Sequence, residues 1–428
     1  MLLSVGIGLS GILTYAYFAL ASHELDRDSY GALTVLWSVL FISVVTLYRP
    51  VEQFVSRNVA AAGAAGQHHG GAIRVAAAIQ AVLAVAFVVL ALALRGPIED
   101  GLLSGDADLY RILVLAAPAY AVSFFARGYL AGTGRFGLYG AMLLLESCSR
   151  FAMAAVVTVG LLSGGSVIAF GILLAPLMSL AVVPLVAFGH ARRRASDLSI
   201  DLIGEEPESP VAVGTSLGRG SAFVGSAFLV MLSEQALLNA GVLIVAAGLD
   251  VAAAGLLFNI MLIARAPQVL FGSVTTSLLP SLSRHWVDRG RDGGMAFRGE
   301  VAGTVRAVAL FDLALIALVA AVGPDLMTLT FGADHSYDRS GLIIVAAGLG
   351  FHLAALTLTQ AQLARDRASG AAACWVACAL GFVVFAALPL LTAVRQAEVG
   401  YAVAAAVLSL LLYWQYSRRA GWADDGGA

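Results

Sequence analysis

The sequence predicts an all-α polytopic membrane protein of about twelve transmembrane helices, arranged as two pseudo-symmetric six-helix bundles. Three observations predict it. The 428 residues are 60% hydrophobic and 12% charged, with mean hydropathy +0.89, where a soluble domain carries about twice that charged fraction. Twelve apolar runs each approach the roughly 20 residues that cross a hydrocarbon core. The longest polar interruption falls after the sixth of them.

The runs cover about 2–21, 31–56, 73–94, 109–131, 138–162, 167–189, 219–246, 254–282, 301–322, 341–363, 370–393 and 399–416. The first has no basic flank before it and reads as a spanning helix, not a cleaved signal. An N-terminal bundle then occupies residues 1–190 and a cytoplasmic linker 191–216. A C-terminal bundle occupies 217–417 and a cytoplasmic tail 418–428. The linker carries Arg192, Arg193 and Arg194, then Glu205, Glu206 and Glu208. Runs 2 and 8 each begin at a glycine (Gly31, Gly255), hold an arginine near a proline, and end in Ser-Arg (Ser56-Arg57, Ser283-Arg284). Six helices separate the copies, an even number, so both halves enter the membrane from the same side. All 25 basic residues are arginine. Fifteen lie in loops after even-numbered helices or in the tail, against five in the opposite loops. The positive-inside rule then makes both termini cytoplasmic.

Several functions are disfavoured at this level. Cys148, Cys374 and Cys378 all fall in predicted helices, where a packing role fits better than a disulfide framework. His68-His69 lacks further ligands and predicts no metal site. Nothing resembles a soluble catalytic domain, and no cofactor or nucleic-acid partner is expected.

Charges inside the spans carry the functional reading. Arg49 and Arg265 each sit in a long apolar segment beside a proline, as Arg49-Pro50 and Arg265-Ala266-Pro267. A guanidinium keeps its proton and is costly at bilayer depth, so it faces a lined or hydrated cavity or snorkels to the headgroups. One such residue per half suggests a cavity that attracts anions. Polar groups recur at helical spacing around them: Ser10, Thr14 and Tyr17 in the first span, Glu52, Gln53 and Ser56 in the second, Ser233, Glu234 and Asn239 in the seventh, Asn259, Gln268 and Thr275 in the eighth. Interhelical hydrogen bonding accounts for any single hydroxyl; the charged members together point to a hydrated cleft. Glu146 and Arg150, spaced i and i+4, are expected to pair with each other. Arg127 reads equally as a substrate contact at the cytoplasmic mouth or as a snorkelling side chain. Asp312 and His352 are expected to be buried structural groups, with a proton relay as the alternative. Pro50 and Pro267 are expected to interrupt their helices and to act as flexing points.

Four short motifs carry a family resemblance: Asp28-Ser29-Tyr30-Gly31; Pro50-Val51-Glu52-Gln53-Phe54-Val55-Ser56-Arg57; Ala126-Arg127-Gly128-Tyr129-Leu130-Ala131-Gly132-Thr133-Gly134-Arg135-Phe136; and Leu278-Leu279-Pro280-Ser281-Leu282-Ser283. With them the chain resembles the multidrug/oligosaccharidyl-lipid/polysaccharide (MOP) flippase superfamily, in its actinobacterial polysaccharide-exporter branch. The resemblance implies a V-shaped pair of bundles around a cleft lined by helices 1, 2, 7 and 8. It also implies flipping of a polyprenyl-diphosphate-linked oligosaccharide across the cytoplasmic membrane by alternating access. On that reading Arg49 and Arg265 hold the diphosphate in forked hydrogen bonds. Arg127, Gln53, Gln268 and Asn259 add substrate contacts, while Glu52 and Glu234 tune the arginine field or carry a coupling cation, H+ or Na+. Membrane lipids are the other expected partner, and no enzymatic activity is expected. The alternatives are a cation-coupled multidrug exporter, a membrane glycosyltransferase or polymerase, and a non-transporting scaffold for envelope assembly. Helix 1 lacks the acidic residue that multidrug members often carry, and the short outer loops disfavour an enzyme.

Overall fold

The computed structural model describes residues 2–64, 70–182, 184, 217–248, 250–263, 282, 294–365 and 367–418. Among them every regular element is helical. The long helices are α1 (Leu2–Glu24), α2 (Arg27–Ala64), α3 (Gly70–Ala93), α4 (Ala107–Gly132), α5 (Phe136–Thr158) and α6 (Gly165–Ser179). After the expected linker, which lies outside the described residues, come α7 (Leu217–Ala247) and α8, described over Val251–Ile263. They are followed by α9 (Gly294–Phe331), α10 (Arg339–Ala364), α11 (Ala368–Ala386) and α12 (Ala393–Arg418). Ten of the described helices are long and apolar enough to cross a membrane, and α8 is a shorter apolar helix over its described residues. A short helical turn, Arg95–Glu99, was not expected.

Four aspartates explain where the helices running inward begin. Asp26, Asp106, Asp250 and Asp338 stand immediately before α2, α4, α8 and α10. Each accepts backbone N–H bonds from the first turn: from Ser29 at 3.0 Å, Leu109 at 3.1 Å, Ala253 at 2.8 Å and Gly341 at 3.1 Å. Such bonds satisfy donors that the helix itself leaves free. At Asp26 they hold the carboxyl below its usual range, led by the Ser29 amide. The capped helices fall into pairs six apart, α2 with α8 and α4 with α10.

The packing repeats with the same period. In the first half α1 packs on α5, α3 on α4, α4 on α6 and α5 on α6; in the second α7 packs on α11, α9 on α10, α10 on α12 and α11 on α12. Two six-helix bundles of like architecture result. Helix α3 and helix α9 sit at equivalent outer positions, and only 17% and 11% of their apolar windows are buried. Pro50 does not interrupt its helix as expected: α2 runs unbroken through it, because packing in a bundle outweighs one lost hydrogen bond. Pro267 lies outside the described residues.

The contacts that join the halves gather at the end that the arginine distribution assigns to the outside. Phe18 meets Phe258 with ring centroids 4.6 Å apart, and Tyr15 meets Phe331 at 5.6 Å. The Tyr30 hydroxyl donates to Asn259, its ring meets the edge of His335 at 5.0 Å, and Arg27 reaches Asp334 at 3.4 Å. The pseudo-equivalent glycines touch. A Cβ built on Gly255 would lie 3.0 Å from the Gly31 Cα, and one built on Gly31 would lie 2.0 Å from the Val251 carbonyl oxygen. Only glycine allows that backbone approach. Towards its inner end the first bundle has two smaller apolar clusters of its own, Val51, Val55, Val59 and Ala76, and Leu130, Met142 and Val182.

Two outcomes follow for this outer seal. In a background lacking the native cysteines, buried Ala254→Cys should resist a membrane-impermeant maleimide added outside, and Gly31→Leu should render it reactive. Burial, the largest cause, holds the His335 imidazole below its ordinary range, helped by Arg27 and His23 and opposed by the Phe331 carbonyl and Asp334. The sealed state therefore disfavours the protonated ring. The His335 contribution to sealing is fully present above about pH 6.5 and is lost as pH falls through the depressed value, so maleimide labelling at position 254, relative to that of an exposed cysteine at the same pH, should rise on acidification.

Candidate functional site

Arg49 lies on α2 about 33 Å from Arg27, at 1.5 Å per residue, close to the roughly 30 Å thickness of a hydrocarbon core. Along the helix it is thus about one hydrocarbon thickness away from the sealed end. Arg49, Gln53 and Arg57 recur every four residues, and all three are exposed. Tyr48, Val51, Glu52 and Val55 are buried against the first bundle. The stripe is cationic because its acid points the other way: the Glu52 carboxylate accepts from the Tyr139 hydroxyl at 2.8 Å.

Behind α2 the first bundle buries four charges. Arg127, Glu146 and Arg150 are each 4–5% exposed, and Glu52 is 9% exposed. Arg127 pairs with Glu146 at 3.6 Å and lies over the Phe124 ring at 3.9 Å, and Glu52 is a second electrostatic partner. Ser123 donates to Glu146 at 2.6 Å. Arg150 donates to the Tyr120 hydroxyl at 2.9 Å and to Ser147 at 3.1 Å, with Trp37 beneath it at 5.1 Å. Two arginines and two glutamates balance. The expected Glu146–Arg150 pair is thus corrected: α4 packs close enough for Arg127 to take Glu146, and hydroxyls take Arg150. Arg127, expected at the cytoplasmic mouth, is buried, because its face of α4 turns into the bundle.

The second bundle holds a different set. Glu234 on α7 lies 4.0 Å from the His352 Nε2 on α10, with His352 fully buried beside Trp375. Trp375 donates its indole N–H to Thr359 at 2.8 Å. Asn239 donates to the Gln235 side chain at 3.1 Å. Asp312 on α9 presses on Gly350 of α10, where a Cβ would clash with its carboxylate, and its Oδ1 is buried with no hydrogen-bond partner among the described residues. Asn259, expected to contact substrate, is fully buried and bound to Tyr30 within the seal. Arg265 and Gln268 lie outside the described residues, as does His68-His69. The three cysteines are free thiols, and the described residues hold no cluster of acids, histidines or cysteines suited to a metal.

Tyr139 was not singled out by the sequence. Tyr139 stands seven residues before Glu146 and so on the same helix face, which is the signal that could have found it.

No protein-family model matches the chain, and no curated protein does. Solved structures do. One is an inward-facing multidrug resistance MATE family transporter of the MOP superfamily, with TM-score 0.71 at 13% identity over 99% of both chains. An outward-facing MATE family transporter of the same superfamily gives 0.63 at 16% identity, over 97% of this chain and 94% of that one. A MOP superfamily transporter from Pyrococcus furiosus, described as having a binding pocket of reverse polarity that suggests a different function, gives 0.62 at 16% identity, over 97% and 94%. The fold is that of the MOP-superfamily transporters.

The buried pair yields a stability prediction. Glu146→Ala should leave the Arg127 charge uncompensated and cost about 3–5 kcal/mol, seen as lower thermal stability in detergent. Replacing both residues with apolar ones of similar volume should recover most of that loss.

Proposed function

We propose that this chain is an alternating-access transporter of the cytoplasmic membrane that moves a polyprenyl-diphosphate-linked oligosaccharide from the inner to the outer leaflet. The carrying observation is Arg49: exposed in a polar stripe with Gln53 and Arg57, about one hydrocarbon thickness along α2 from the sealed end. A diphosphate has about two negative charges and is bound in forked geometry by guanidinium groups. Arg265 and Gln268 are proposed as the opposing contacts from the second bundle, and residues 191–216 as the linker that lets the bundles rock. The Pyrococcus furiosus transporter supports a MOP-type fold with pocket polarity other than that of drug exporters, and a cationic stripe on α2 fits such a variant. The substrate glycan then moves when the Gly31–Gly255 contact parts and the inner mouth closes.

A second reading, cation-coupled export of amphipathic drugs, is favoured by one observation: the Glu234–His352 pair inside the second bundle. In the proposed function that pair carries the coupling proton. Cells carrying Arg49→Ala at normal protein level should accumulate lipid-linked glycan inside and lose surface polysaccharide. Arg49→Lys, which keeps the charge and loses the fork, should retain partial export. Drug resistance that falls with Arg49→Ala while glycan export stays normal would instead support the exporter reading.

A further inference from the structure

An acid three residues along a helix from an arginine is its natural partner, and Glu52 stands three residues from Arg49 on α2. The two form no ion pair. Three features of the first bundle account for that. The Tyr139 hydroxyl on α5 holds the Glu52 carboxylate at 2.8 Å. Arg127 on α4 attracts it from the same side. Gly128 brings α4 against α2 at that very turn, since a Cβ there would lie 2.6 Å from the Glu52 carbonyl oxygen. Glu52 is consequently buried and Arg49 exposed. Arg49 remains an electrostatic neighbour of Tyr139, so the carboxylate and the guanidinium are close enough for release of one to matter to the other.

We propose that Tyr139 is a positioning residue: by tethering Glu52 inside the first bundle it keeps the Arg49 guanidinium unneutralised and free to bind a phosphate-bearing headgroup. This rests on the anion-binding role of Arg49 proposed above. Loss of the hydroxyl frees Glu52 to swing one helical turn and pair with Arg49. The headgroup then competes with an internal carboxylate for the same fork. Tyr139 touches no substrate in this account; its effect passes entirely through Glu52.

The test uses the full-length protein in detergent, with farnesyl diphosphate as the probe and calorimetric Kd as the readout. Tyr139→Phe is expected to weaken binding about five-fold, the size of an exposed ion pair. Adding Glu52→Gln to it should restore binding to near the wild-type value, which a merely structural role for Tyr139 would not allow. A double variant as weak as Tyr139→Phe alone, or a Tyr139→Phe protein that binds like wild type, overturns the proposal. Glu52→Gln by itself sets the reference for the double variant: adding Tyr139→Phe to it should change affinity by about two-fold or less, and a further loss of about five-fold overturns the proposal. Arg49→Ala separates the two levels. If it binds the probe as tightly as wild type, the anion-binding role itself falls; if it loses binding while the Tyr139 arms fail, only the tether falls.

Discussion

The backbone contact between α2 and α8 at Gly31 and Gly255 is the constraint on which this architecture turns. Two helices that occupy equivalent places in the two bundles meet there at a distance that excludes any side chain. Around that point the tyrosine–asparagine bond, the aromatic pairs and the Arg27–Asp334 bridge close one end of the molecule. At its inner end the first bundle keeps two smaller apolar clusters to itself.

Charge is distributed according to the same geometry. The first bundle balances Arg127 and Arg150 with Glu146 from α5 and Glu52 from α2, in a protein interior where an unpaired ion would be costly. Because those four settle among themselves, Arg49 is left outside the balance. The second bundle sets half-buried Glu234 4.0 Å from buried His352 and presses half-buried Asp312 against Gly350, on α10.

Much of the fold was legible in the chain because it follows from one-dimensional rules. Hydrocarbon thickness sets the length of each apolar run, and arginine counts set the orientation. The aspartates capping α2, α4, α8 and α10 could have been read as start signals. The site was legible only in outline. Glu146 and Arg150 share a helix face, so pairing within one helix was the natural expectation; a closer helix supplied Arg127 instead. Asn259 lay on a polar stripe, but it turned out to belong to the seal.

Composition, periodicity and charge placement by themselves determined that this is an all-helical, multi-pass membrane protein with arginines in unusual positions. Only the tertiary structure decided which of those arginines is free. Helical spacing says which residues share a face, whereas the partner of a charge depends on which neighbouring helix that face meets and how closely glycine lets it come. Arg127 and Arg49 look alike along the chain; one is buried against Glu146 and the other stands exposed because Tyr139 holds its nearest acid away.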